Sequence, residues 1–110
     1  MPRPPISPRA VITLSLLHPV QGTSIRDWAF PQEAVIRMGR APDNEVVLLS
    51  SVVSRHHAEL RLEGGLWSLV SLGANGTFLD GQQVTTQAKV TNGSTIRLAP
   101  SGPVIQVQIS

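Results

Sequence analysis

Residues 58–70 read Ala58-Glu59-Leu60-Arg61-Leu62-Glu63-Gly64-Gly65-Leu66-Trp67-Ser68-Leu69-Val70. Ala58, Leu60 and Leu62 alternate with Glu59, Arg61 and Glu63. That is the period of a strand with one buried and one solvated face. Gly64-Gly65 then reverses the chain, because both positions tolerate positive φ, and the two runs predict a β-hairpin. The same grammar repeats on either side. Asp80-Gly81 separates Thr77-Phe78-Leu79 from Gln82-Gln83-Val84, and Asn92-Gly93 precedes Thr95-Ile96-Arg97-Leu98, where Ile96 and Leu98 are expected to face in. Upstream, Ile12, Leu14 and Leu16 alternate with Thr13 and Ser15. Val35-Ile36-Arg37-Met38 ends at Gly39, and Val46-Val47-Leu48-Leu49 follows the turn Pro42-Asp43-Asn44. The last run sets Ile105, Val107 and Ile109 against Val104, Gln106 and Gln108. Roughly ten short strands with turns every ~8–12 residues predict an all-β sandwich or barrel. Trp67 and Phe78 are expected in its core, while Trp28 beside Phe30 fits either an edge strand or a partner contact.

The chain has 110 residues, which suits one domain, and its 41% hydrophobic content supports a continuous core. Nine prolines and nine glycines leave no interval for a long amphipathic helix. Residues 1–10 read as an irregular Pro-rich leader and residues 11–110 as the domain. Arg3 and Arg9 before Ala10–Leu17 loosely imitate a secretory signal, but Thr13 and Ser15 interrupt the run and no cleavage site follows, so a strand is the better reading. No apolar stretch approaches the ~18 residues of a membrane span. Cysteine is absent, which excludes disulfides, thiolate metal sites and a cysteine nucleophile, and makes the cytoplasm the expected location. A net charge of +2 gives no nucleic-acid or membrane footprint.

Three polar clusters fall in expected loops: Gly39-Arg40, Ser54-Arg55-His56-His57 and Asn75-Gly76-Thr77. Brought together at one end of a sandwich, they offer two guanidinium groups, a hydroxyl and an amide, with no carboxylate inside any cluster. That set suits a phosphate dianion, which arginine binds through charge-assisted and often bidentate bonds. Other chemistries fit less well. His56 and His57 are neighbours, and on a strand they point to opposite faces, so with no cysteine or acid nearby no metal site is expected. Ser54 with His57 lacks a nucleophile elbow and a buried triad, so no catalytic residue is expected. Four aromatics over no basic groove argue against single-stranded nucleic acid.

Gly39-Arg40, Asp43-Asn44-Glu45-Val46-Val47-Leu48, Ser54-Arg55-His56-His57-Ala58-Glu59-Leu60 and Asn75-Gly76-Thr77-Phe78-Leu79-Asp80-Gly81 together resemble the forkhead-associated (FHA) domain. The resemblance extends from about residue 11 to residue 109 by strand order. It implies an all-β sandwich of about eleven mostly antiparallel strands that binds phosphothreonine peptides through loops at one end, without catalysis or cofactor. On that resemblance Arg40 contacts the phosphate, the hydroxyl and amide of Ser54 hold its oxygens, and Arg55 adds a contact at a variable position. Asn75 bonds the peptide main chain, while Gly39, His57, Gly76 and Thr77 shape the loops. The implied partners are phosphothreonine-containing proteins or peptides, with a Ser/Thr kinase as a further candidate. A phosphate-independent interaction module on the same fold is the alternative.

The sequence departs from the family pattern in one loop. The family commonly reads Asp-Leu-Gly-Ser-x-Asn-Gly-Thr, whereas this chain has Ser71-Leu72-Gly73-Ala74-Asn75-Gly76-Thr77. The segment is one residue shorter, lacks the acid, and puts Ala74 where a hydroxyl that touches phosphate often sits.

Overall fold

A computed structural model describes residues 11–109, so the expected Pro-rich leader lies outside the described residues. The described chain forms eleven strands: β1 (Ile12–Leu17), β2 (Ser24–Phe30), β3 (Val35–Gly39), β4 (Val46–Val47), β5 (Ala58–Glu63), β6 (Leu66–Ser71), β7 (Thr77–Leu79), β8 (Gln82–Gln83), β9 (Gln87–Val90), β10 (Thr95–Leu98) and β11 (Val104–Ile109). A six-stranded sheet has the order β2-β1-β11-β10-β7-β8, and a five-stranded sheet the order β4-β3-β5-β6-β9. Every pairing is antiparallel except β3 with β4.

The alternation seen in the sequence is the alternation of burial. Ile12 and Leu14 of β1, Ile96 and Leu98 of β10, and Ile105 and Val107 of β11 pack from one sheet. Ile36 and Met38 of β3, Leu60 of β5 and Leu69 of β6 meet them from the other, all without solvent exposure. Burying each such side chain contributes about 1.5–3 kcal/mol.

Two expectations need adjustment, at Phe78 and at residues 46–49, and a third, left open at Trp28, is decided. Phe78 is not a core residue: β7 pairs Leu79 with Ile96 and Phe78 with Arg97, so Thr77 and Leu79 point in and Phe78 points to the outer face. The apolar run 46–49 is a strand only at Val46–Val47, because Leu48 turns into the core while Leu49 is 84% exposed. Trp28 and Phe30 lie on β2, the edge of the larger sheet, half-buried against the core, with the Arg26 guanidinium 4.7 Å from the Trp28 ring centre.

Strand direction positions the loops. β3, β6 and β10 end, and β5, β7 and β11 begin, at the same end of the sandwich. The segments 40–45, 48–57, 72–76 and 99–103 therefore gather there.

Candidate functional site

His57 holds these loops together. It has no solvent exposure. Its Nδ1 accepts the Ser54 N–H at 3.0 Å, so Nε2 carries the proton and donates to the Gly76 carbonyl at 2.7 Å. Its main-chain carbonyl accepts the N–H groups of Leu72 (2.9 Å) and Gly73 (2.8 Å), and its own N–H donates to the Met38 carbonyl at 2.9 Å. One residue thus ties the ends of β3 and β6 to two loops. The Gly76 carbonyl also accepts the Ala99 N–H at 2.9 Å, which adds the loop after β10. Thr77, buried, accepts the Ser71 hydroxyl at 3.0 Å and closes the base of the 72–76 loop.

Around this latch the structure brings together every site residue read from the sequence. The Arg40 N–H donates to the Ser54 carbonyl at 2.9 Å, and its Nε–H to the Val53 carbonyl at 3.0 Å. The guanidinium is anchored at one nitrogen while its other N–H groups remain for a ligand. Ser54 is half-buried, and Arg55 beside it is exposed. Asn75 Nδ2 donates to the Val52 carbonyl at 2.8 Å, bridging the 72–76 loop to the 48–57 loop, and Ala74 next to it is exposed. At one atom the arrangement differs from the expectation. The Ser54 amide is spent on His57, so the hydroxyl is the group left for an anion.

Two glycines permit this closeness. A Cβ on Gly39 would sit 2.2 Å from the Arg55 carbonyl oxygen, and one on Gly73 would sit 2.8 Å from Ser54 Oγ and 2.9 Å from the His57 ring. Gly39 was legible from its neighbour Arg40. Gly73 was missed, and its only signal was its place in the shortened segment.

The sequence reading also missed a polar frame around the 40–45 loop. Asn44 is buried, and its Nδ2 donates to the carbonyls of Ala41 (2.7 Å) and Arg55 (2.8 Å), fixing the loop against the Ser54–Arg55 segment. Asp43 accepts His56 Nε2 at 3.1 Å, and this bond holds the Asp43 carboxyl below its ordinary range. On the outer side, Arg37 pairs with Glu45 through Nε at 3.0 Å and Nη2 at 2.9 Å, and also reaches the Asp43 carbonyl at 2.9 Å. The Arg37 hydrogen bonds hold Glu45 down to about 2. Among the described residues neither Arg40 nor Arg55 enters an ion pair. The two cations nearest Ser54 are therefore not neutralised by the acids beside them.

Residues 36–99 match the model of the FHA domain, which is more than half of the chain. The chain belongs to the FHA domain family. FHA domains are protein-interaction modules. The chain is 39% identical over 67 residues to the FHA domain-containing protein FhaB of Mycobacterium tuberculosis, covering 60% of this chain and 43% of that protein. It thus spans less than half the length of the curated relatives it matches. Among solved structures, Mycobacterium tuberculosis EmbR in complex with a low-affinity phosphopeptide superimposes with a TM-score of 0.73 and 28% identity, covering 89% of this chain and 24% of that one. A structure from a study of phosphothreonine-dependent FHA domain interactions gives 0.75 and 29%, covering 91% and 97%. Among the described residues, the eleven strands in two mostly antiparallel sheets, with no helix, match that fold.

Proposed function

We propose that this chain recruits phosphothreonine-containing proteins after a Ser/Thr kinase has acted on them. Arg40 and the Ser54 hydroxyl take the phosphate, Arg55 adds a second guanidinium, and Asn75 bonds the peptide main chain. The observation that supports the reading is the His57 latch. It ties the segment that carries Ser54 and Arg55 to the loop that carries Asn75, and Arg40 bonds the same segment through the Val53 carbonyl. The relatives that bind phosphopeptides support it, and the kinase that modifies the partner is a further candidate partner. The activity is binding rather than catalysis, and the proposed location is the cytoplasm. Among the described residues, no helix is long and apolar enough to cross a membrane.

A degenerate phosphothreonine peptide library and its dephosphorylated copy test the proposal by calorimetry. Only the phosphorylated library should bind. Arg40→Ala and Ser54→Ala should each weaken it by about 1.5–3 kcal/mol, the scale of a hydrogen bond to a charged group. Equal binding of both libraries would instead establish a phosphate-independent module. Turnover of a generic ester would overturn both readings.

A further inference from the structure

The outer face of the six-stranded sheet carries two hollows, of about 360 and 470 Å³, which share Arg97 and Val104 in their walls. Each is within the ~300–1,000 Å³ range of pockets that bury small organic groups. The register explains why they exist. Ile96 and Leu98 face the core, so Arg97 faces out, flanked across the strands by Phe78 of β7 and Val104 of β11. Phe78, Pro100 and Val104 line the first hollow, and Leu17, Ile25 and Pro103 line the second. Phe78 is the aromatic residue that the core does not use, and Ile25 is 57% exposed.

Among the described residues, Arg97 is the one Lys or Arg, and no Asp or Glu appears, in the lining of either hollow. Its Nε–H donates to the Gly102 carbonyl at 3.2 Å, and among the described residues no carboxylate pairs with it. The remaining guanidinium N–H groups can bind a carboxylate in bidentate fashion.

The second hollow borders the loop end, with Ser50 of the 48–57 segment and Gly102 of the 99–103 segment in its wall. A Cβ on Gly102 would meet Val52 Cγ2 at 3.3 Å, and the Val52 carbonyl is the acceptor of Asn75. The same β10–β11 loop holds the Gly76 carbonyl through Ala99. We propose that the outer-face groove is a second docking site for the phosphorylated partner, taking an apolar segment that carries an Asp or Glu side chain onto Arg97. This inference rests on the phosphopeptide reading of the loop end. A second copy of this chain docked groove to groove would oppose Arg97 to Arg97, which the charge disfavours.

Two phosphothreonine display libraries test it, one with about four random residues on each side and one with about fifteen. The long flanks reach roughly 50 Å at ~3.3 Å per residue, well beyond the length of any strand here. The long library should enrich Asp or Glu beside apolar residues outside the short window. Trimming those flanks should weaken binding about five-fold, the upper scale of one exposed ion pair. Arg97→Glu, on the solvent face, should melt like the parent, bind the short library unchanged, and select Lys or Arg at the distant positions. If the distant flanks stay random, or Arg97→Glu selects the same acids, the groove proposal is overturned alone. Loss of all phosphate dependence in the short library overturns it together with the reading it rests on. Concentration-dependent dimerisation of the parent that Arg97→Glu abolishes would overturn it in favour of self-association.

Discussion

The two ends of the sandwich are closed by different physics. At one end, Gly64 and Gly65 turn β5 into β6 with φ values of 60 and 80°. Thr91–Ser94 turns β9 into β10 through a Ser94 N–H to Thr91 carbonyl bond of 3.1 Å. Each of these turns is complete within about four residues. At the other end the closing bonds join residues 11, 19 and 23 positions apart, from Asn44 to Arg55, His57 to Gly76 and Asn75 to Val52. A turn of the first kind fails alone. A cluster of the second kind fails as a unit, because each bond holds the partners of the others in place.

His57→Ala should break the comparison most severely. It removes the acceptor of the Ser54 amide and one of the two donors to the Gly76 carbonyl, which keeps the Ala99 N–H, and it leaves a cavity where a fully buried ring stood. An amide left unsatisfied costs about 1–3 kcal/mol and the cavity adds to that, so a loss of about 3 kcal/mol is expected. Urea unfolding measures it, and phosphopeptide binding should fall with it. A loss below about 1 kcal/mol would mean that the loops do not depend on this ring.

A pair of glycine substitutions sharpens the same contrast. Gly73→Ala places a methyl group 2.8 Å from Ser54 Oγ and should cost about 1–3 kcal/mol as overpacking, with phosphopeptide affinity falling in parallel. Gly65→Ala meets nothing within 4 Å, so its cost is only the positive φ, about 1–2 kcal/mol, with affinity unchanged. Melting and calorimetry on the two variants separate the effects. Equal losses of affinity would show that the loop end is not the binding end.

That difference also explains what was legible in the sequence. The Gly64-Gly65 and Asp80-Gly81 hairpins were readable because the residues that make such a turn are the turn itself. The inward faces of β1, β5, β10 and β11 were readable because period-two alternation is local as well. Phe78 misled for a physical reason: the three-residue strand Thr77–Leu79 is too short for its pattern to state which side faces in. Arg40, Ser54, Arg55 and Asn75 were singled out through the ordered combination of their motifs, and their segments lie at one end of the sandwich. Asn44, the Asp43–His56 bond and the Gly73 contact were not, because each depends on a partner that only the folded chain brings near.

The Arg37–Glu45 pair belongs to the frame of the loop end and gives it a pH dependence. The folded Glu45 carboxyl lies at about 2, against an ordinary value of 4.5. A depressed carboxyl stabilises the folded state fully above its unfolded value and loses that contribution as pH falls toward the folded one. The contribution should therefore fade between pH 4.5 and about 2. The Arg37 and Glu45 side chains are 44% and 28% exposed, so solvent screening keeps the effect below about 1 kcal/mol. Urea midpoints of the parent and Glu45→Gln should differ at neutral pH and converge toward pH 2. A constant gap would place the contribution of Glu45 outside its charge.

A comparably small effect is expected at Ala74, where the loop end departs from its family. Ala74 is exposed and sits beside Asn75, whose amide reaches across to the 48–57 loop. A hydroxyl at this position would add one neutral contact to a phosphate held by Arg40 and Ser54, worth about 0.5–1.5 kcal/mol. Ala74→Thr should therefore tighten phosphothreonine binding a few-fold. On the proposed binding mode Arg55, exposed and in no ion pair among the described residues, would meet the same anion from the 48–57 loop. Its charge-assisted bond is the stronger contact, so Arg55→Ala should weaken the parent more than it weakens the Ala74→Thr variant. Residues that share one ligand group do not act independently, and a double-mutant cycle by calorimetry reads their coupling directly. If Ala74→Thr changes nothing, the shortened loop carries position 74 away from the phosphate, and Arg55 alone supplies what the missing hydroxyl does elsewhere in the family.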